Sequence, residues 1–237
     1  MGAVPVVGVV PARYNSRRWP GKVLAQVKGR PLLAWAWESL VGAPEVTRAV
    51  VAIDDERIAR WCESAGAPFV MTSPTCRNGT ERVAEVAEQY SADLYVNVQA
   101  DQVGVEPRII SRLIGELRAH PEWPMATLGT RAGVAESQRS PDQVLVLSGP
   151  DGAARWFRRG SATAPHDAAA VRHIGVYGYR REALAAYRQA EPSPEELSEH
   201  LEQLRALALG WKVGVVRVRS RARSYDRPED ARRGLEF

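Results

Sequence analysis

The sequence predicts an α/β fold built on a mostly parallel mixed sheet, with a smaller strand-rich portion after about residue 120. Three observations carry this. Short apolar runs alternate with amphipathic helical segments over the first half, which is βαβ repetition and calls for helices on both faces of a sheet. The first run, residues 4–10, is wholly apolar, as a buried parallel strand requires. Beyond residue 120 strand-like runs follow one another, two of them joined by a tight turn.

In chain order, residues 31–41 place Leu32, Leu33, Trp35, Ala36 and Leu40 at helical spacing. Arg48–Ile53 reads as the next strand. Asp54 and Asp55 fall where it ends and the helix Glu56–Ala65 begins, acidic residues that suit a helix N-terminus. A strand at 68–72 leads to a helix at 79–90 with Val83, Val86 and Ala87 on one face, then to a strand at 94–99 and a helix at 107–118. Strands are predicted at 125–129, 143–147 and 153–157, the last two joined by Gly149-Pro150-Asp151-Gly152. A strand at 173–179, helices at 181–188 and 194–209, the strand Val213–Val218 and a helix opening at Pro228 follow. The small-residue stretch within 159–171 reads as a loop.

With 237 residues, 45% hydrophobic and 25% charged, the composition matches an ordinary soluble domain and excludes disordered, collagen-like and disulfide-scaffold chains. No apolar stretch reaches the roughly 18 residues that a spanning helix needs. The basic residues follow the apolar start instead of preceding it, the reverse of a secretory signal, and Val6 breaks the myristoylation pattern. Cys62 and Cys76 have neither a Cys-x-x-Cys spacing nor a His at ligand spacing, so no disulfide framework or zinc site is expected, and a reducing cytoplasm is.

The net charge is +4, and all but three of the 32 basic residues are arginine. The densest run is Arg217, Arg219, Arg221 and Arg223, alternating like one face of a strand. Such a stripe suits either nucleic-acid phosphates or a solvated edge strand; no nucleic-acid recognition fold accompanies it, so no nucleic-acid partner is expected.

Ligands of parallel α/β sheets sit beyond the carboxyl ends of the strands, which directs attention to the loops after Val10, Thr72 and Gln99. The first contains Arg13, Arg17, Arg18 and Lys22, with Gly21 allowing close backbone approach. It suits a polyanion such as a nucleoside triphosphate, or is simply a solvated basic loop. It is not a Walker A loop, because Val23 follows Lys22 and no glycine stands at the required spacing; no Gly-x-Gly-x-x-Gly fingerprint is present either. Asp101, after the strand that ends near Gln99, is placed to hold Mg²⁺ beside phosphates or to cap a turn. Asp226, just before the last helix, is a second such carboxylate or an N-cap.

Six motifs occur in order along nearly the whole chain: Pro11-Ala12-Arg13-Tyr14-x-Ser16-x-Arg18-x-Pro20-Gly21-Lys22, Asn78-Gly79-Thr80-Glu81-Arg82, Asn97-Val98-Gln99-x-Asp101, Arg172-His173-x-Gly175-x-Tyr177-Gly178-Tyr179-Arg180, Leu201-Glu202-Gln203-Leu204-Arg205 and Asp226-x-Pro228-Glu229-Asp230. Together they resemble the CMP-Kdo synthetases, the 3-deoxy-manno-octulosonate cytidylyltransferase family. The resemblance implies a Rossmann-like nucleotidyltransferase fold in one domain, 1–237, with 1–120 mainly binding CTP and 121–237 mainly serving the acceptor and dimerisation. It also implies a cytoplasmic homodimer that uses CTP and Mg²⁺ and releases pyrophosphate. By that resemblance Arg13, Arg18 and Lys22 grip the triphosphate, Pro11, Ala12, Asn78, Gly79, Thr80, Arg82 and Gln99 surround the nucleotide, and Asp101 and Asp226 hold the metal. Arg18, Lys22 and Asp101 are the catalytic candidates. The acceptor positions are Gln99, Arg158, Arg159, His173, Tyr177, Glu202 and Gln203.

The chain departs from that family on the acceptor side. The usual Gln-Gly-Asp-Glu-Pro reads Gln99-Ala100-Asp101-Gln102-Val103, and the usual Phe-Ser-Arg-Ala with its following Ile-Pro-Trp-x-Arg reads Phe157-Arg158-Arg159-Gly160 without that Trp and Arg. A lysine usual in the preceding strand is Leu145. Arg158, Arg159 and His173 are expected to form a cationic pocket for a small anion, either a keto-sugar acid or a phosphonate. A catalytically idle relative that binds CTP as a sensor or partner subunit is the alternative. No covalent nucleophile is expected, and Trp19 is a candidate shield of the phosphates.

Overall fold

The run from Val6 to Ala12 is buried at every position, so it needs apolar cover on both faces. The structure, a computed structural model, describes residues 5–16, 18–131, 134–137, 140–161 and 167–232, and it supplies that cover. From the amino end the elements are β1 (Val6–Ala12), a 3-10 turn (Lys22–Leu24), the short pair β2 (Gln26–Val27) and β3 (Arg30–Pro31), α1 (Leu32–Val41), β4 (Arg48–Ile53), α2 (Glu56–Ala65), β5 (Phe69–Met71), α3 (Gly79–Gln89), β6 (Leu94–Val98), β7 (Gln102–Val103) and α4 (Pro107–Ala119). The second half adds β8 (Met125–Thr130), α5 (Val134–Ser137), β9 (Val144–Ser148), β10 (Ala154–Arg159), β11 (Val171–Arg180), α6 (Arg181–Gln189), α7 (Pro194–Glu199), α8 (Gln203–Ala208), β12 (Val213–Val218), β13 (Arg223–Ser224) and α9 (Pro228–Arg232).

β1 pairs in parallel with β4 on one side and β6 on the other, and β5 extends the sheet beyond β4. β11 runs antiparallel to β6, β8 and β9, while β12 lies parallel to β8. The carboxyl ends of β1, β4, β5, β6, β8 and β12 therefore share one edge of the sheet. The chain moves outward from β1 to β4 and β5 and then returns to place β6 on β1's other side, so the switch point lies between β1 and β6.

One face of the sheet packs on α1, α2 and α4 through residues such as Leu40, Ile58 and Leu113; the other packs on α3, α6 and α8 through Val83, Leu184 and Ala206. Local signals set the helix ends. Asp55 caps α2 by accepting from Arg57 N, and Gly66 ends it in the left-handed conformation. Asn78 Oδ1 accepts from Glu81 N at the start of α3, and Glu81 Oε2 accepts from the backbone N of Arg77. Among the described residues no helix is long and apolar enough to cross a membrane.

The predicted first strand starts at Val6 and continues to Ala12; residue 4 lies outside the described residues. The single helix predicted at 194–209 is two helices, α7 and α8, because His200 adopts the left-handed conformation (φ 53°) and turns the chain between them. The arginine stripe is not one strand face. β12 stops at Val218, so only Arg217 lies on it, and Arg223 lies on β13. Two pairs of two-residue strands, β2 with β3 and β7 with β13, are too short to show a periodicity and had no sequence signal.

The packing of α3 against α7 and α8 centres on Arg205, 1% exposed at its side chain. It donates to Glu196 Oε2 at 2.6 Å and Oε1 at 2.7 Å and to Glu81 Oε1 at 2.9 Å. Removing the cation leaves the buried Glu196 carboxylate without an ion-pair partner and Glu81 with Arg77 alone. Arg205→Met is expected to destabilise the fold by about 3–5 kcal/mol. Its thermal midpoint should fall by about 10 °C, measurable by calorimetry.

Candidate active site

Two carboxylates and an ammonium meet beyond the carboxyl ends of β1 and β6. Lys22 Nζ lies 2.6 Å from Asp101 Oδ2 and 3.3 Å from Asp226 Oδ1, partners 79 and 204 residues away along the chain. Asp101 precedes β7 and Asp226 follows β13, and those strands pair antiparallel, with Tyr225 N donating to Asp101 O. The short ribbon thus clips both carboxylates at one end. Burial alone lowers the Lys22 pKa, but the facing charges of Asp101 and Asp226 outweigh it and hold it above its ordinary value. Neither carboxylate acts as the cap that either could have been; the N–H of Asp226 donates instead to Asp230 Oδ2.

Arg18 joins this cluster, donating to Asp226 Oδ1 at 2.6 Å and to Asp142 Oδ1 at 2.9 Å. Asp142 also holds Arg227, so it fastens the basic loop to the segment after β13. Sequence reasoning missed Asp142, which carries no local motif and lies 124 residues from Arg18. Pro11 and Ala12 are buried at the end of β1, and Arg13 is exposed where the loop leaves the sheet. Trp19, partly buried, packs against the small apolar cluster of Val27, Leu32, Val103 and Tyr225.

The side chains of Asn78, Thr80 and Arg82 are engaged within the protein. Asn78 Nδ2 donates to Tyr187 Oη and Glu196 Oε1, Thr80 Oγ1 bonds Tyr179 Oη, and Arg82 donates to Thr72 Oγ1 and Asp54 Oδ2. Asp54 accepts in turn from Tyr14 N, which ties this segment to the basic loop. The backbone N–H groups of Thr80 and Glu81 are taken as well, by Glu202 Oε2 and Asn78 Oδ1, and Gly79 lies tight against its neighbours. A Cβ at Gly79 would meet Gln99 Nε2 at 2.6 Å and Pro11 Cγ at 3.2 Å.

Gln99 bridges the two sides of the site. Its Nε2 donates to Glu202 Oε1 at 2.6 Å, and Glu202 Oε2 accepts from Thr80 N at 2.8 Å. Burial pushes the Glu202 carboxyl up from its ordinary value, against these two hydrogen bonds. Tyr177 Oη donates to Gln203 Oε1 at 3.2 Å. Gln203 Nε2, Asn97 Oδ1 and Gln102 Oε1 are buried with no hydrogen-bond partner among the described residues. A buried polar atom left unpaired costs free energy that a polar ligand can recover. Asn97 and Gln102 had not been assigned a site role from sequence.

His173 is buried, with Nε2 2.9 Å from Thr127 Oγ1. That hydroxyl donates to Val176 O at 2.8 Å, so the network places the proton on His173 Nε2 and leaves Nδ1 an acceptor. Burial, reinforced by Arg172, pushes the imidazole pKa down to about 3. The expected cationic pocket is thus corrected: His173 is neutral. Arg158 does not join it either. Its guanidinium lies over Trp156 at 4.2 Å, whereas Phe157, on the alternate face of β10, meets His173 edge-on. Arg159 donates to Glu199 O and Pro141 O. Part of the stretch between β10 and β11, residues 162–166, lies outside the described residues.

The pair Asp101 and Asp226 fits a divalent cation. Their oxygens already converge on one positive group, and both side chains are mostly buried. Two carboxylates suit Mg²⁺, which keeps most of its shell for water and phosphate, better than a metal that needs a full protein cage. No cluster of three or more ligating side chains occurs among the described residues. Burial, with Glu85 nearby, pushes the Cys76 thiol up to about 12, which keeps it protonated and poorly nucleophilic at neutral pH.

A largely parallel sheet with a lysine and two carboxylates at its switch point, extended by antiparallel strands, defines an α/β nucleotidyltransferase. The Cytidylyltransferase family profile matches residues 7–213. A 3-deoxy-manno-octulosonate cytidylyltransferase of Geobacter metallireducens is 36% identical over 98% of this chain and 96% of its own. One from Maricaulis maris is 39% identical over 95% and 94%. The solved structure of a CMP:2-keto-3-deoxy-manno-octonic acid synthetase complexed with CTP superposes with a TM-score of 0.85 at 33% identity, covering 95% of this chain and 94% of that one. The chain belongs to the 3-deoxy-manno-octulosonate cytidylyltransferase family.

A folded-state histidine pKa below the unfolded value means that the unfolded chain takes up the proton first as pH falls. The stability that the neutral imidazole allows is full above about pH 6.5 and is lost progressively toward about pH 3. Between pH 6.5 and 4.5, His173→Gln is expected to lose less stability than the unaltered protein by about 2–3 kcal/mol. Urea denaturation at the two pH values measures the difference.

Proposed function

We propose that the protein transfers CMP from CTP to a keto-sugar acid of the 3-deoxy-manno-octulosonate type. The observation that carries this reading is Lys22 held between Asp101 and Asp226 at the switch point, in a chain whose relatives over nearly its whole length bear that activity in their names. The relatives favour the keto-sugar acid over a phosphonate and lend nothing to a catalytically idle CTP binder. The cytoplasmic homodimer belongs to the same reading, as does the division of labour between residues 1–120 and 121–237.

In the proposed reaction an acceptor oxygen attacks the α-phosphorus of CTP in line. The new O–P bond forms as the bond to the β-phosphate oxygen breaks, pyrophosphate leaves, and the acceptor hydroxyl gives up its proton. Such chemistry needs alignment and charge neutralisation, not a protein nucleophile. Arg13, Arg18 and Lys22 counter the charge that builds on the departing pyrophosphate. Asp101 and Asp226 would hold Mg²⁺, which when bound neutralises phosphate oxygens and acidifies a coordinated hydroxyl. Pro11, Ala12 and the backbone of 78–82 border the nucleotide.

Gln99, aimed by Glu202 and confined beside Gly79, stands between nucleotide and acceptor. Gln203 Nε2 is a donor and His173 Nδ1 an acceptor for acceptor hydroxyls, with Tyr177 fixing the amide of Gln203. A neutral histidine accepts from a hydroxyl without drawing the substrate carboxylate into the wrong register, which leaves carboxylate recognition to arginine.

The test is pyrophosphate release from CTP and Mg²⁺ with 3-deoxy-manno-octulosonate, set against other nucleoside triphosphates and a panel of small phosphonates. CTP-dependent release with the sugar acid is expected. Release with a phosphonate and none with the sugar acid would overturn the acceptor assignment. Asp101→Asn and Lys22→Ala should each lower kcat by about 10²-fold or more while the protein stays folded. Near-normal turnover in Asp101→Asn would remove that residue from the metal site.

A further inference from the structure

Arg217, Arg219 and Arg221, part of the basic run that the proposed reaction does not use, line a cavity of about 900 Å³ on the α4 side of the sheet. Arg108 and Arg112 of α4 and Arg131, just past β8, complete its basic wall, and Ile109 and Val218 contribute apolar surface. Against these six guanidinium groups the lining holds one carboxylate, Glu106, already paired with Arg108. Arg112 reaches Glu116 at 3.9 Å and Arg217 donates to Ser148 Oγ at 3.2 Å. Arg131, Arg219 and Arg221 make no ion pair among the described residues.

Six like charges around one concavity repel one another and focus a positive field into it. The volume falls in the range of small-molecule sites, roughly 300–1,000 Å³. Guanidinium groups match the oxygens of phosphate in geometry and charge. We propose that this cavity binds a small phosphate-bearing anion, at a site separate from the candidate active site. The two are linked by the chain: from Arg221 it enters β13, which pairs with β7, and Asp226 follows beside Asp101. The ribbon between them keeps the anions apart.

A second copy of this chain is a poor occupant, because a two-fold contact across this wall would set arginine against arginine. A nucleic acid is disfavoured because the basic groups close around a bounded cavity instead of following an extended track.

Calorimetric titration of the full chain with inorganic tripolyphosphate, without metal, tests the proposal. Two equivalents are expected, one lost in Lys22→Ala and the other in the double variant Arg219→Ser with Arg221→Ser. All these arginines are exposed, and circular dichroism checks that the variant folds. Arg131→Ser, made alone, should weaken the same equivalent about tenfold. CTP-dependent turnover of the double variant should stay within about twofold, since its side chains are outside the reacting cluster. The proposal is overturned if the double variant keeps every equivalent that the unaltered protein binds. It is overturned equally if the substitutions change the oligomeric state by light scattering, which makes the wall an interface, or if RNA displaces tripolyphosphate and that binding vanishes in the double variant.

Discussion

Asp101 and Asp226 come from distant parts of the chain, yet their carboxylates reach one ammonium, that of Lys22. Two anions mostly shielded from water repel each other strongly, and the cation between them offsets that repulsion. The surrounding structure serves this juxtaposition. Gly21 adopts a left-handed conformation (φ 71°) that turns the basic loop back toward the sheet, where a Cβ would press on the Tyr14 ring. The pairing of β7 with β13 holds the two carboxylates at one end of a ribbon, and Arg18 braces Asp226 against Asp142. In the proposed reaction the same two carboxylates would hold the divalent ion, leaving the ammonium for phosphate.

The proposed acceptor side is built on a different principle: His173, Tyr177 and Gln203 are buried and uncharged, burial pushes Glu202 toward neutrality, and hydrogen-bond direction does there what charge does around Lys22. The break at His200 is central to it, because a continuous helix over 194–209 could not bring Glu202 onto Thr80 N and Gln99 while keeping Arg205 between Glu81 and Glu196. The same Arg205 contacts fasten the helix that opens at Asn78, so α3, α7 and α8 share one buried ion-pair network. Disturbing one of these helices is felt by the others through packed atoms, not through a flexible linker.

Much of the architecture was legible because burial leaves a mark on sequence. An apolar run such as Val6–Ala12 means a strand covered on both faces, and Asp55 or Asn78 before an amphipathic stretch means a capped helix. The helix break at His200 was not legible, since nothing in composition distinguishes a polar residue inside a helix from one that takes the left-handed conformation and ends it. Two-residue strands escaped for a simpler reason: β7 and β13 are too short to show a period. Asp142 escaped because its meaning lies wholly in the arginines it meets.

By itself the sequence determined the βαβ order, the family, and which residue types the strand ends would present, because those depend on local pattern and on motifs in register. The charge states and facing directions were decided only by the tertiary structure. His173 became a neutral acceptor because burial and Thr127 left it no room to be a cation. Arg158 turned away because successive strand residues point to opposite faces, and the sheet had already assigned Phe157 to the face of His173. Protonation and direction follow from the electrostatic environment and the packing that surround a side chain, and these exist only once segments far apart in the chain have come together.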